Sequence, residues 1–208
     1  MKAMRKRMME ESLSQGELSQ KAPQPRLVII AAPSGAGKTT LCERLVRENT
    51  KVCLSVSTTT RPRRPYETHG THYHFVTPEQ FQEKIDAGDF AEWAEVHGRR
   101  YGTDRKVIEK ALADGKHVLF DIDVQGAMNL RKLYGNRTVL VFINPPSLEI
   151  LEERLRNRKG DSAESIETRL RNAYNELRWR DKFDYQIVND DLERAYAELQ
   201  ALIKKECL

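Results

Sequence analysis

This chain spells out a doubly wound α/β fold with five parallel strands, on three grounds. Five short apolar runs rich in branched residues recur along it: RLVIIA (26–31), VCLSVS (52–57), HVLFDID (117–123), TVLVFI (138–143) and YQIV (185–188). Stretches of helical period, such as KTTLCERLVREN and DRKVIEKALADG, lie between most of them. The runs are near-continuous rather than alternating, which marks strands covered on both faces and therefore a parallel sheet. With 208 residues, 39% hydrophobic and 32% charged, the chain can bury one such core and stay soluble.

Taken in order, residues 1–25 are polar and poor in large apolar groups apart from methionines, and are expected to form a flexible leader. Glu10, Glu11 and Glu17 argue against an acid-poor transit peptide. The rhythm of strand and helix breaks first between residues 58 and 103, where shorter alternating runs such as THYHFV and DFAEWAEV are separated by turn residues. This predicts an inserted mixed-β segment. A second interruption, RLRNRKGDSAES, is rich in arginine and loop formers between two helical stretches. The last helix, within DDLERAYAELQALIKKECL, starts acidic and ends with Lys204 and Lys205, in accord with the helix dipole.

Whole-chain properties exclude several classes. Basic and acidic residues number 35 and 31, a net charge of +4, so no nucleic-acid or membrane partner is expected. No run approaches the ~18 apolar residues of a membrane span. Cys42, Cys53 and Cys207 have no metal-ligand spacing and suit a reducing compartment, hence an expected cytoplasmic location. His72 and His74 lack a third ligand at useful spacing.

The stretch AAPSGAGKTT (31–40) follows the first strand and opens a helix. A strand running through a glycine-rich turn into a helix aims unpaired backbone N–H groups, and the positive end of the helix dipole, at one point. The loop of Ala32, Pro33, Ser34, Gly35, Ala36, Gly37, Lys38, Thr39 and Thr40 is thus a candidate phosphate cradle, a P-loop with Ala32 where the pattern has glycine. Gly35 and Gly37 allow the close approach, Lys38 supplies a cation for β- and γ-phosphate oxygens, and Thr39 is placed to reach Mg²⁺. A nucleoside triphosphate with Mg²⁺ is the expected occupant. Asp121 and Asp123 end the strand HVLFDID on one side, at the carboxyl edge where such sheets bind ligands. Asp121 is the candidate for organising the water shell of Mg²⁺.

The acceptor side begins with SVSTTTRPRRPYETHG, where prolines keep Arg61, Arg63 and Arg64 out of a helix. Guanidiniums clustered with hydroxyls suit a second phosphate. In DFAEWAEV, alternation puts Phe90, Glu92, Ala94 and Val96 on one face, so Glu92 lies among apolar neighbours and needs donors. A guanine edge offers two N–H donors side by side, whereas adenine would present a lone pair; an internal salt bridge to an arginine is the alternative.

These stretches resemble the guanylate kinases from about Arg26 onward. The matching segments are APSGAGKTT, SVSTTTR, HGTHYHFV, FAEWAEVHGRRYGT, DIDVQG, PPSLEILEERLRNR and IVNDDLERAYAEL. The resemblance implies a P-loop nucleoside monophosphate kinase. Its core would comprise 26–57, 104–146 and 171–208, with a GMP-binding lobe at 58–103 and a helical lid at about 147–170. It implies transfer of the γ-phosphoryl group of ATP to GMP in purine nucleotide metabolism, with dGMP an open second acceptor. Ser57, Glu92, Thr103 and Asp123 match the family's guanine contacts, and Arg61, Arg64, Tyr73 and Tyr101 its clamp on the GMP phosphate. Arg154, Arg158 and Arg169 match arginines that close on the transferring phosphates, and Asn189 matches the adenine-side wall. TTRPRRPYE departs from the family pattern: its proline falls one place early and Arg63 is extra, so ungapped alignment selects Arg64 as the second clamp with Arg63 as the alternative. A non-catalytic module of similar fold would degrade the phosphate loop; Lys38 and Thr39 are intact here.

Overall fold

The computed structural model describes residues 24–96, 98–157 and 163–207. The expected leader therefore lies almost wholly outside the described residues, as does Arg158.

Five strands, β1 (Leu27–Ala31), β2 (Val52–Leu54), β7 (His117–Asp121), β8 (Thr138–Asn144) and β9 (Tyr185–Val188), form one sheet in the order β2-β7-β1-β8-β9. Every pairing in it is parallel. Four fall within the apolar runs of the sequence, and β8 runs one residue past its own, to Asn144. The second is shorter than its run because the chain makes one further bond, from Ser55 N–H to the Leu119 carbonyl (2.8 Å), and then leaves the sheet.

Alternation along β1 divides the core into two layers. Val28 and Ile30 face helices α1 (Lys38–Glu48) and α7 (Leu192–Cys207) through Leu41, Leu45, Leu199 and Ile203. Leu27 and Ile29 face α3 (Arg105–Ala113) and α4 (Val124–Tyr134) through Ile108, Ala127 and Leu130. Both faces of the central strands β1, β7 and β8 are dry, which is why their sequences carry almost no polar alternation. Truncating a fully buried side chain such as Ile29 or Leu41 to alanine is expected to cost about 2–5 kcal/mol. A third cluster joins α5 (Leu148–Arg156) to α6 (Ala163–Leu177) through Leu151, Leu155 and Ala173.

A second sheet of four strands, in the order β4-β3-β6-β5, is built from β3 (Thr58–Thr59), β4 (His74–Phe75), β5 (Phe90–Val96) and β6 (Arg99–Asp104). It is mixed: β3 runs parallel to β4, whereas β6 is antiparallel to both β3 and β5. On β5 the burial alternates as the pattern requires, with Phe90, Glu92 and Ala94 inside and Trp93 and Glu95 outside. Helix α2 (Pro78–Asp86) precedes β5 and starts on a capping box, in which Thr77 and Gln80 satisfy each other's backbone N–H groups with Pro78 in the first turn.

The main sheet changes direction at β1: the chain winds out to β2 and β7 on one side, then crosses to β8 and β9 on the other. Ligands of open α/β sheets bind outside the carboxyl ends of the strands at such a point. Among the described residues, no helix is long and apolar enough to cross a membrane.

Candidate active site

At that point β1 hands the chain to the loop Ala32–Gly37. A turn closes with Ala36 N–H donating to the Pro33 carbonyl (3.1 Å), and Gly37, at φ 85°, sits as the cap of α1 with no side chain bonded to the helix N-terminus. The first-turn N–H groups therefore remain available to an anion. Gly37 cannot be replaced cheaply, because a Cβ there would collide with the Asn189 amide as well as strain the backbone. That amide donates to the Ala36 carbonyl at 2.6 Å, and Arg154 donates to the Asn189 carbonyl at 3.2 Å. Arg169 reaches the Ser34 hydroxyl at 3.3 Å. The loop is thus held from below and from the side by residues far along the chain.

Inside it, Lys38 Nζ lies 2.5 Å from Asp121 Oδ1 and donates to the Ile122 carbonyl at 2.9 Å. Burial would lower the Lys38 ammonium, but the Asp121 charge and hydrogen bond outweigh it and hold it above its ordinary value. The Thr39 hydroxyl donates to Asp121 Oδ2 at 2.9 Å. Hydroxyl and carboxylate side by side make a hard-oxygen pair that suits a divalent cation sharing its shell with phosphate and water. Among the described residues, no cluster of three or more His, Cys, Asp or Glu could hold a metal without such help.

Glu92 faces the same space from β5. It is 9% exposed, and its Oε1 accepts the Thr103 hydroxyl at 2.5 Å. Its Oε2 packs over Gly126 in the first turn of α4, where a Cβ would come within 3.0 Å. Burial pushes the Glu92 carboxyl up to about 7; the Thr103 bond opposes this, and the Asp123 charge adds to it. Asp123 also caps α4, its Oδ1 accepting from Gln125 N–H (2.7 Å) and Gly126 N–H (3.0 Å). Among the described residues, no arginine bonds or ion-pairs with Glu92, and the carboxylate lines a cavity of about 540 Å³ that also contains the phosphate loop.

A second cavity, of about 1140 Å³, adjoins the first, and the two share Thr39, Ser57, Tyr73, Val96, Tyr101 and Asp121 as walls. On its far side Arg61 forks onto Glu67, at 2.6 and 3.1 Å, and stacks 5.2 Å from the centre of the Tyr73 ring. Tyr73 and Tyr101 meet edge to face at 6.0 Å. Arg64 lines this cavity, with its N–H on Glu67 Oε2 (2.8 Å) and its guanidinium on the Tyr66 hydroxyl (3.0 Å). Arg63 instead donates to the Glu67 carbonyl at 2.8 Å.

The structure brings Lys38, Thr39, Asp121, Asp123, Glu92, Ser57, Tyr73, Tyr101, Arg61, Arg64, Arg154 and Arg169 around one continuous cleft. Three expected residues stand behind it rather than on it. Thr103 is fully buried and touches Glu92, Asn189 is 6% exposed beneath the loop, and Ala36 is enclosed. The sequence reading missed Glu67 and Glu176. Glu67 carried a signal, a lone acid six residues after Arg61 in an arginine-rich loop. Glu176 carried a fainter one, its place two helical turns after Arg169.

Comparison with known proteins agrees along nearly the whole chain. The family profile described as guanylate kinase matches residues 24–206. A guanylate kinase from Chelativorans sp. (strain BNC1) is 49% identical over 183 residues, covering 88% of this chain and 84% of that protein. One from Brucella melitensis biotype 1 is 48% identical, covering 88% and 83%. The crystal structure of guanylate kinase from Anaplasma phagocytophilum superposes with a TM-score of 0.76 at 30% identity, covering 89% of this chain and 87% of that one.

Proposed function

Because the chain belongs to the guanylate kinase family, enzymes that phosphorylate GMP from ATP, we propose that its cleft carries out that transfer in line, with charge neutralised by Lys38, the arginines and Mg²⁺. The observation that carries the reading is the sharing of one cavity by the uncapped, lysine-bearing loop and a buried carboxylate that, among the described residues, has no arginine bond or ion pair. An internal salt bridge, the alternative use of Glu92, finds no partner among the described residues.

The loop N–H groups and Lys38 hold the donor's phosphates. Thr39 and Asp121 would hold Mg²⁺, which when bound neutralises charge on the β- and γ-oxygens. Glu92 in its ionised form accepts the two guanine N–H groups, with Ser57 and Asp123 beside it and Thr103 fixing its rotamer from behind. Arg61, Arg64, Tyr73 and Tyr101 grip the acceptor phosphate, and Glu67 pre-sets the Arg61 fork. Arg64 rather than Arg63 is the second clamp, because Arg64 lines the cavity and Arg63 does not.

An acceptor phosphate ionises near neutrality, with a second pKa of about 6, so it needs no general base. Catalysis then rests on positioning and electrostatics. Segment 58–103 and the lid at about 147–170, bearing Arg154, Arg158 and Arg169, close over core segments 26–57, 104–146 and 171–208 and exclude water from the donor. The product GDP re-enters purine nucleotide metabolism. A coupled ADP-release assay across nucleoside monophosphates tests this: release with GMP and at most a trace with AMP is expected, and equal release with both would remove Glu92 from base selection.

A further inference from the structure

Glu176 has no part in the reading above, yet it is the one acid on α6 among those lining the phosphate-loop cavity. It projects from the last turn of that helix, beside Ser34, Lys38, Asp123 and Arg154. The Ser34 N–H stabilises its charged form, and two turns earlier on the same helix Arg169 bonds the Ser34 hydroxyl. One helix therefore meets one loop residue through two functional groups. Seven residues of spacing put both side chains on the same face.

We propose that Glu176 is a positioning residue for the phosphoryl donor: it fixes the Ser34 arm of the loop to α6 and, through its own charge, regulates how firmly the triphosphate seats. The assignment rests on the kinase reading for the identity of the donor, and on the geometry of Ser34 for the rest.

Two consequences separate this role from plain packing. Loss of the side chain leaves Ser34 tied to α6 by Arg169 alone and loosens the cradle without touching the acceptor side. Ionisation of the side chain places a negative charge against incoming phosphates, so donor binding favours the neutral carboxyl. Burial pushes Glu176 up to about 7, with Lys38 and the Ser34 N–H drawing it down and Asp123 pushing it up, so both forms are populated near neutrality. Arg154 lines that cavity from a neighbouring helix, Glu92 and Asp121 line it from β5 and β7, and Arg169 precedes Glu176 on its own helix; comparing variants at equal pH leaves their ionisation common to all.

The test measures ATP binding by calorimetry, and KM for ATP and GMP, from pH 6 to 8.5 for the wild type, Glu176→Gln and Glu176→Ala. Glutamine keeps a carbonyl for the Ser34 N–H and cannot ionise. It should match wild type at pH 6 and bind ATP about 5-fold tighter at pH 8.5, the size of one moderate like-charge repulsion. Comparing variants at equal pH cancels the nucleotide's own ionisation. Alanine should raise the ATP KM about 10-fold at pH 6, the loss of one anchoring hydrogen bond to the neutral carboxyl, with the GMP KM within 2-fold. A Gln-to-wild-type ratio flat in pH overturns the proposal, as does a KM for GMP rising in step with that for ATP. Should the alanine variant not fold, the glutamine profile alone decides. A wild type that binds ATP but leaves GMP untouched would sink the kinase reading while the binding data still judged Glu176.

Discussion

Replacing Glu92 by glutamine should stabilise the empty protein and cripple its choice of base, both for the same reason. The carboxyl ionises near 7 in the fold instead of 4.5, chiefly because it is buried. At about 1.4 kcal/mol per tenfold in proton affinity, charging it in place costs the fold about 3 kcal/mol. Because the folded value is raised, the sign is fixed. Below pH 4.5 the carboxyl is neutral in both states and the two proteins should melt together. Between 4.5 and 7 the wild type loses stability relative to Glu92→Gln, and above 7 the full gap is present. For a domain of this size, that gap corresponds to about 6–12 °C in Tm as an upper bound. GMP, which needs the ionised form, should close the gap: from pH 6 to 8 the charged fraction rises about tenfold, and GMP affinity with it. Melting curves of both proteins from pH 4 to 8.5, with and without GMP, check this. Parallel Tm profiles without nucleotide, or a glutamine variant that still selects GMP over IMP and AMP, would show that Glu92 is not an uncompensated buried acid held for guanine.

Lys38→Ala should lower kcat about 1000-fold, roughly 4 kcal/mol of lost electrostatic stabilisation, with Tm little changed, in steady-state and melting assays. Gly37→Ala should abolish ATP binding and destabilise by about 2 kcal/mol or more, since backbone strain at φ 85° adds to the collision with Asn189; the double variant with Asn189→Ala should recover only part of the stability, read by denaturant unfolding. Arg61→Ala should cost about 3 kcal/mol at pH 7, because Glu67, 5% exposed, loses its forked partner. Burial raises Glu67, but Arg61 and Arg64 outweigh it and hold the carboxyl below its ordinary value, so that stability exists above about pH 4.5 and fades as pH falls further. The wild type and Arg61→Ala should therefore converge in acid unfolding curves.

The parallel sheet was readable because its signal is local: a strand with two dry faces cannot hide its apolar run. The phosphate loop was readable for the same reason, since strand, turn, lysine and helix are consecutive. The face of β5 that carries Glu92 followed from a two-residue period alone. What escaped depends on long-range meetings. Thr103 was expected on the base, but the pairing of β5 with β6 sets it opposite Glu92 and beneath it. Asn189 was expected on a cleft wall, and the end of β9 delivers it under Ala36 instead. Glu176 reaches Ser34 only because α5 and α6 pack back toward the loop, a tertiary fact with no periodic trace in the sequence. The two-residue strands β3 and β4 are too short to register any alternation.

The bond from Asn189 to Ala36 spans 153 positions of chain. During synthesis the glycine turn and its lysine emerge long before the strand that completes their support. Until residues 185–189 dock against β8, the Ala36 carbonyl lacks its donor and Gly37 its neighbour, so the turn of the half-made protein is unfinished. Closure of the glycine turn thus becomes a late acquisition of folding, made only when the last strand of the sheet is in place.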